Sequence, residues 1–141
     1  MYPWDKLNMQ KMTIGQVAKL SEVSVETIRF YEKEGLLAVP QRNSSGYRQY
    51  THETVKRIVF IQNAKQVGFT LKEIAGLLLL QENPNASCGD VLQKASLKLQ
   101  QIEAKITELT RVKNALQQLT NDCMDNKTLA ECPVLDALNC D

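Results

Sequence analysis

Apolar residues recur at helical spacing along most of this chain, interrupted at a few places by turn-forming residues. From Met12 the segment TIGQVAKLSEVSVETIRFYEKEGLL sets Ile14, Val17, Ala18, Leu20, Val23, Val25, Ile28 and Leu36 at the steps expected of helices that bury one face. Thr13 and Ser24 stand where side-chain caps are needed. The pattern predicts a helix after Thr13, a short turn through residues 21–23, and a second helix after Ser24 closed by Gly35, which together form a helix-turn-helix. The next stretch, VPQRNSSGYRQYT, combines Pro40, Asn43, two serines and Gly46 with Tyr47 and Tyr50, and reads as a β-hairpin or wing. A third helix is predicted from Thr51, carrying Val55, Ile58, Val59, Ile61 and Ala64 and stopping at Gly68. A fourth starts at Thr70 and ends before ENPNAS, where Pro84 breaks the chain.

From Asp90 to Asn121 no glycine or proline intervenes, which predicts one helix of about 32 residues, roughly 48 Å long. Leu92, Ala95, Leu99, Ile102, Ile106, Leu109 and Leu116 follow one another at alternating steps of three and four, with Lys113 the polar intrusion. Such a stripe is a coiled-coil seam. No other segment of the chain is long enough to cover it, so its expected partner is a second copy of the same chain. The organisation that follows is an N-terminal tail over residues 1–11, a winged helix-turn-helix domain over 12–81, a linker and dimerisation helix over 82–121, and a C-terminal loop with a short helix over 122–141.

The length of 141 residues and the 43% apolar content allow one small core plus a long element. The longest apolar run, AGLLLL at 75–80, is far shorter than the roughly 20 residues of a membrane span, and the N-terminus lacks the pattern of a secretion signal. The expectation is a cytoplasmic protein that does not engage a membrane. The formal charge of +1 conceals an asymmetry: residues 1–80 hold 11 Lys and Arg against 7 Asp and Glu, whereas residues 81–141 hold 6 against 9. A basic front half suits a polyanion. Arg29 lies on the second helix, Arg42 and Arg48 bracket the turn, and Arg57 lies on the third helix. With Lys33, Lys56, Lys65, Tyr47 and Tyr50 they would present one positive face to double-stranded DNA.

TIRFYE, followed in order by RNSSGYRQY and VKRIVFIQNAKQVGFTLKEIAGLL, closely resembles the MerR family of bacterial transcription regulators, from about Met12 to Leu138. The resemblance implies a mainly α fold: a winged helix-turn-helix DNA-binding domain, two further helices, and a long antiparallel coiled-coil dimerisation helix. It implies a homodimer on a palindromic promoter, not an enzyme, acting as repressor and activator by distorting DNA for RNA polymerase. It assigns DNA contact to Arg29, Tyr31, Arg42, Tyr47 and Arg48. Tyr31 is equally compatible with a core position, and Phe30 is expected in the core.

Four cysteines in such a chain are candidate metal ligands or reactive thiols and not a disulfide framework. Cys88 precedes the long helix and Cys123 follows it, 35 positions on, so about 52 Å of helix separates them. One chain cannot bring both to one ion. Antiparallel pairing, as the resemblance implies, sets Cys88 of one copy beside Cys123 and Cys132 of the other. Three sulfurs select a thiophilic ion over magnesium or calcium. The sole histidine is His52, and a closed zinc site normally takes four nitrogen or sulfur ligands. The fourth ligand would have to be water, Cys140 or an acid such as Asp122. Met124 is read as packing. The cysteine spacing and CPVL resemble the mercury-sensing branch most; SCGDV resembles the cadmium and lead sensors. The expected effector is therefore a divalent heavy-metal ion, Hg2+ first, with Pb2+, Cd2+ or Zn2+ as alternatives. A thiol redox sensor is the rival class, but Cys123 and Cys132 are not spaced as Cys-x-x-Cys and no thioredoxin-like βαβ pattern accompanies them.

Overall fold

A computed structural model describes residues 11–121 and 129–139. Six helices follow in order: α1 (Ile14–Ser21), α2 (Val25–Lys33), α3 (His52–Gln66), α4 (Leu71–Glu82), α5 (Cys88–Asn121) and α6 (Pro133–Asn139), with a 3-10 turn at Leu129–Glu131. The expected tail lies outside the described residues except for Lys11. The chain divides into two compact units, Met1–Val91 and Leu92–Asp141. No helix among the described residues is long and apolar enough to cross a membrane.

In the first unit α1 packs on α2 and α3, and α4 packs on α3. Local sequence sets the helix starts. The Thr13 hydroxyl accepts from the Gln16 N–H while the Gln16 side chain accepts from the Thr13 N–H, a reciprocal cap that satisfies two donors lacking helical partners. Thr70 and Glu73 repeat this device at α4. Ser24 caps α2 through the Thr27 N–H at 3.1 Å. Thr51 occupies the cap position of α3 without a side-chain hydrogen bond there. Between α1 and α2 the chain turns through Glu22, a non-glycine residue at φ 57°, whose N–H is taken up by carbonyls of the last turn of α1.

The core comprises Met12, Val17, Ala18, Ile28, Tyr31, Leu36, Leu37, Tyr50, Val55, Ile58, Ile61, Ala64, Ile74 and Leu78. These are the positions at which the periodic faces of α1 to α4 converge, joined by residues of the α2–α3 connection. The predicted wing is present in a reduced form. Among the described residues there is no regular strand; two isolated antiparallel bridges, Met12 with Tyr50 and Arg42 with Arg48, do the pairing. Asn43 explains the tight tip, since its side-chain oxygen accepts from the N–H groups of Ser45 and Tyr47 and leaves the ladder too short to propagate.

α5 begins at Cys88, two residues earlier than the apolar pattern predicts, and its 34 residues rise about 51 Å. None is buried. Leu92, Leu99, Ile102, Ile106, Leu109 and Leu116 are all at least 38% exposed, so the seam predicted from spacing lies uncovered in a single chain.

Candidate nucleic-acid interface and metal ligands

α2 and the wing together line an open depression of about 580 Å³ that gathers Arg29, Lys33, Arg42, Tyr47 and Arg48, with Glu32 as its carboxylate. Arg29 and Lys33 lie one turn apart on α2, both exposed. Arg42 crosses the wing, donating from Nη1 to the Gly46 carbonyl at 3.2 Å, a neutral partner that leaves its charge available. Tyr47 at the wing tip is 71% exposed. A concave surface with this excess of cations and an upright aromatic fits a phosphate backbone.

Arg48 differs from its neighbours. Its Nη1 pairs with Glu32 Oε2 at 3.1 Å, while the other oxygen of Glu32 accepts from the Tyr50 hydroxyl at 2.8 Å. Donation from the Arg48 guanidinium to the Tyr50 oxygen, and next the charge of Glu32, raise the pKa of Arg48. Burial first, then the bond to Glu32, raises that of the Tyr50 hydroxyl. Sequence reasoning missed Glu32. The available signal was an acid set between Tyr31 and Lys33 on the helix that carries Arg29, which requires a compensating partner if it is buried.

Tyr31 does not belong to this surface. Its ring is fully buried, its hydroxyl accepts from Gln62 Nε2 at 2.7 Å, and Lys65 Nζ stands 5.9 Å from the ring centroid. Phe30, expected in the core, is 45% exposed. The cause is the buried stripe of α2, fixed by Ile28 and Tyr31 one turn apart; Phe30 is rotated roughly 100° from Tyr31. Lys56 and Arg57 also stand apart, lining a second depression of about 840 Å³ with Glu82. Lys56 pairs with Glu53 at 3.6 Å across one exposed turn. Arg57 Nε donates to the Leu36 carbonyl at 2.7 Å and its guanidinium pairs with Glu82, so it ties the end of the helix-turn-helix to the end of α4.

Cys88 is exposed and is the first residue of α5. The Ser87 N–H donates to Asp90 Oδ2 at 2.8 Å and the Ser87 hydroxyl to the same oxygen at 3.3 Å, which fixes where the helix begins. The sulfur is thereby held at a helix end where backbone N–H groups lack helical acceptors, a setting suited to an anionic ligand. Cys132 is half-buried and immediately precedes α6; its carbonyl accepts from the Asp136 N–H at 3.0 Å. Cys123, Cys140, Asp122 and Met124 lie outside the described residues. Among the described residues of one chain, no group of three His, Cys, Asp or Glu is assembled that would hold a metal ion.

The family model for MerR helix-turn-helix regulatory proteins matches residues 12–81, and that for MerR, DNA binding, matches residues 55–119. The mercuric resistance operon regulatory protein of Bacillus cereus is 40% identical over 128 residues, which span 91% of this chain and 97% of the relative. A transcription regulator of Ralstonia metallidurans, solved in complex with lead(II), superposes with a TM-score of 0.82 at 35% identity, over 90% of this chain and 98% of the other. A dual function transcriptional regulator MerR of Bacillus megaterium, solved in complex with a mercury(II) ion, gives 0.71 at 37% identity over 90% and 98% of the two chains. The helix-turn-helix, the bridged wing and the long helix with its bare seam are thus parts of a known design: the chain belongs to the MerR family of DNA-binding transcription regulators, which are not enzymes.

Proposed function

We propose that this chain works in the cytoplasm as an antiparallel homodimer on palindromic promoter DNA, and that it switches transcription in response to a thiophilic divalent metal ion, mercury(II) first. The observation that carries the reading is the exposed Cys88 at the very start of a helix whose apolar seam is bare along its length. Pairing two such helices head to tail sets Cys88 of one protomer at the end of the other helix, where Cys123 and Cys132 follow in sequence. The donors fit: Cys88, Cys123 and Cys132 supply sulfur, the ligand type that soft ions prefer, and a bound ion would supply a crosslink between the protomers. Cys140 is available as an additional thiol.

Arg29, Lys33, Arg42 and Tyr47 meet the DNA backbone and grooves, and Lys56, in the second depression, adds a separate exposed cation. Arg57 serves the fold through Leu36 and Glu82. Dimer symmetry matches operator symmetry, and RNA polymerase is the partner that reads the altered promoter. A coupling of about 3 kcal/mol between effector and DNA states shifts their balance roughly 150-fold. Lead(II) is the second reading, supported by the likeness to the lead-bound regulator; cadmium(II) and zinc(II) follow.

The test uses two inactive variants. Cys88→Ser and Cys123→Ser homodimers should each fail to bind mercury(II) and to activate the promoter while still binding DNA. Mixed chains should regain one metal site per heterodimer. If the mixture binds no metal in an equilibrium titration, the cross-chain site is wrong; promoter output in mercury(II) against lead(II), cadmium(II) and zinc(II) identifies the effector.

A further inference from the structure

The reading face contains a charge that a phosphate-binding surface would avoid: Glu32, on the same helix as Arg29 and Lys33, lines the depression that would receive DNA. Its side chain is 4% exposed. Both oxygens are taken, one by Arg48 and one by the Tyr50 hydroxyl. These donors are two residues apart in an extended segment, so they project to the same side, and both reach back to α2. Tyr50 also exchanges backbone hydrogen bonds with Met12 in both directions, at 2.7 and 2.8 Å, immediately before the Thr13 cap of α1. One carboxylate thus joins the recognition helix, the returning arm of the wing and the entry to α1.

We propose that Glu32 is a positioning residue that locks the wing onto the recognition helix, and that it withdraws Arg48 from phosphate contact, leaving Arg29, Lys33 and Arg42 as the cations that engage DNA. A carboxylate taken out of water is strongly disfavoured once it loses its cation, so Arg48, itself 33% exposed, is retained in the pair when DNA arrives. Arg42, bonded only to a carbonyl, and Arg29 and Lys33, for which no ion pair is found among the described residues, carry no such constraint. The pairing also cancels a negative charge that would otherwise repel the backbone. Arg48, by its charge and place a contact residue, becomes part of the scaffold that aims the contacts.

This inference rests on the DNA-reading face proposed above, and the test separates the two. The probe is a duplex selected by the parent protein from a randomised library, then remade with single neutral methylphosphonates at each backbone position. In the parent, neutralising a contacted phosphate should weaken binding about tenfold or more. Arg42→Gln should be indifferent to one of those substitutions, because the contact is already gone. Arg48→Gln should lose affinity overall yet respond to every methylphosphonate by the same factor as the parent. A position to which the parent is sensitive and Arg48→Gln is indifferent would overturn the proposal. Should Arg48→Gln not fold, the Glu32→Gln/Arg48→Gln pair, with neutral amides in place of both charges, takes the same scan with the same criterion. Glu32→Gln alone keeps an acceptor for Tyr50 and frees a cation, so its binding to non-specific DNA should gain about one in salt slope; an unchanged slope also overturns the idea. Indifference of Arg29→Gln, Lys33→Gln and Arg42→Gln at no position at all would instead remove the reading face, and this inference with it.

Discussion

Two tyrosines show how a single side chain divides between reading and scaffolding. Tyr31 lies beside Arg29 in sequence, and its burial against Gln62 makes it structural. Tyr31→Phe keeps the ring and leaves the Gln62 amide to find water, so it should cost about 1 kcal/mol of stability and leave operator affinity unchanged, as denaturant titration and DNA binding would show. Tyr50 is protonated more tightly in the fold than in the unfolded chain, because burial and the Glu32 bond disfavour its anion. A raised pKa means that the folded state binds more protons above the ordinary value of 10.0, so the contribution is complete below that pH and is lost as pH rises through the folded value. Thermal midpoints measured upward from about pH 9 should fall more steeply for the parent than for Tyr50→Phe; parallel curves would contradict the shift. For Tyr31 the sequence left the core and the DNA face equally open, and for Tyr50, read as part of the positive face, it did not reveal the bond to Glu32.

At the scale of elements, caps and periodicity were legible and closure was not. Thr13, Ser24 and Thr70 start α1, α2 and α4 where their side-chain chemistry says they should, since capping is settled within four residues. Gly35 and Gly68, both at positive φ, end the elements expected of them. The wing was recognisable from Asn43 and Gly46, but the pairing of its returning arm, through Tyr50, with Met12, a residue 38 positions away, is one that no local pattern reveals. α5 is the clearest case of a helix whose stability comes from outside its own chain. Burying a Leu or Ile contributes roughly 1.5–3 kcal/mol, and six such residues lie bare along its seam. Ile106→Asp, at mid-seam, should therefore convert dimers to monomers at micromolar concentration in sedimentation equilibrium, with the first unit still folded. A dimer that persists would move the interface elsewhere.

For the whole molecule, the division of labour between the two units has a consequence for metal dependence. The core of the first unit is formed by apolar residues, and apolar burial is the force expected to fold it. Chelation should leave amide protection at Ile58, Ile61 and Ile74 intact while abolishing metal-dependent promoter output. Loss of that protection on chelation would mark the ion as structural, as in proteins that fold only when loaded. The charge asymmetry belongs to this scale too. It pointed to DNA correctly, yet it did not show that the cations separate into two depressions, with Arg57 turned inward to Leu36 and Glu82.

The sequence by itself determined the helices, their caps, the long seam, the family and the residue types able to bind DNA or a soft metal, because each of these is written in spacing and local chemistry over a few residues. Tertiary structure alone decided which of those residues face outward. Tyr31 went into the core and Phe30 out of it because α2 can bury only one stripe, and Arg48 was claimed by Glu32 because a buried carboxylate must find a cation wherever the fold brings one within reach.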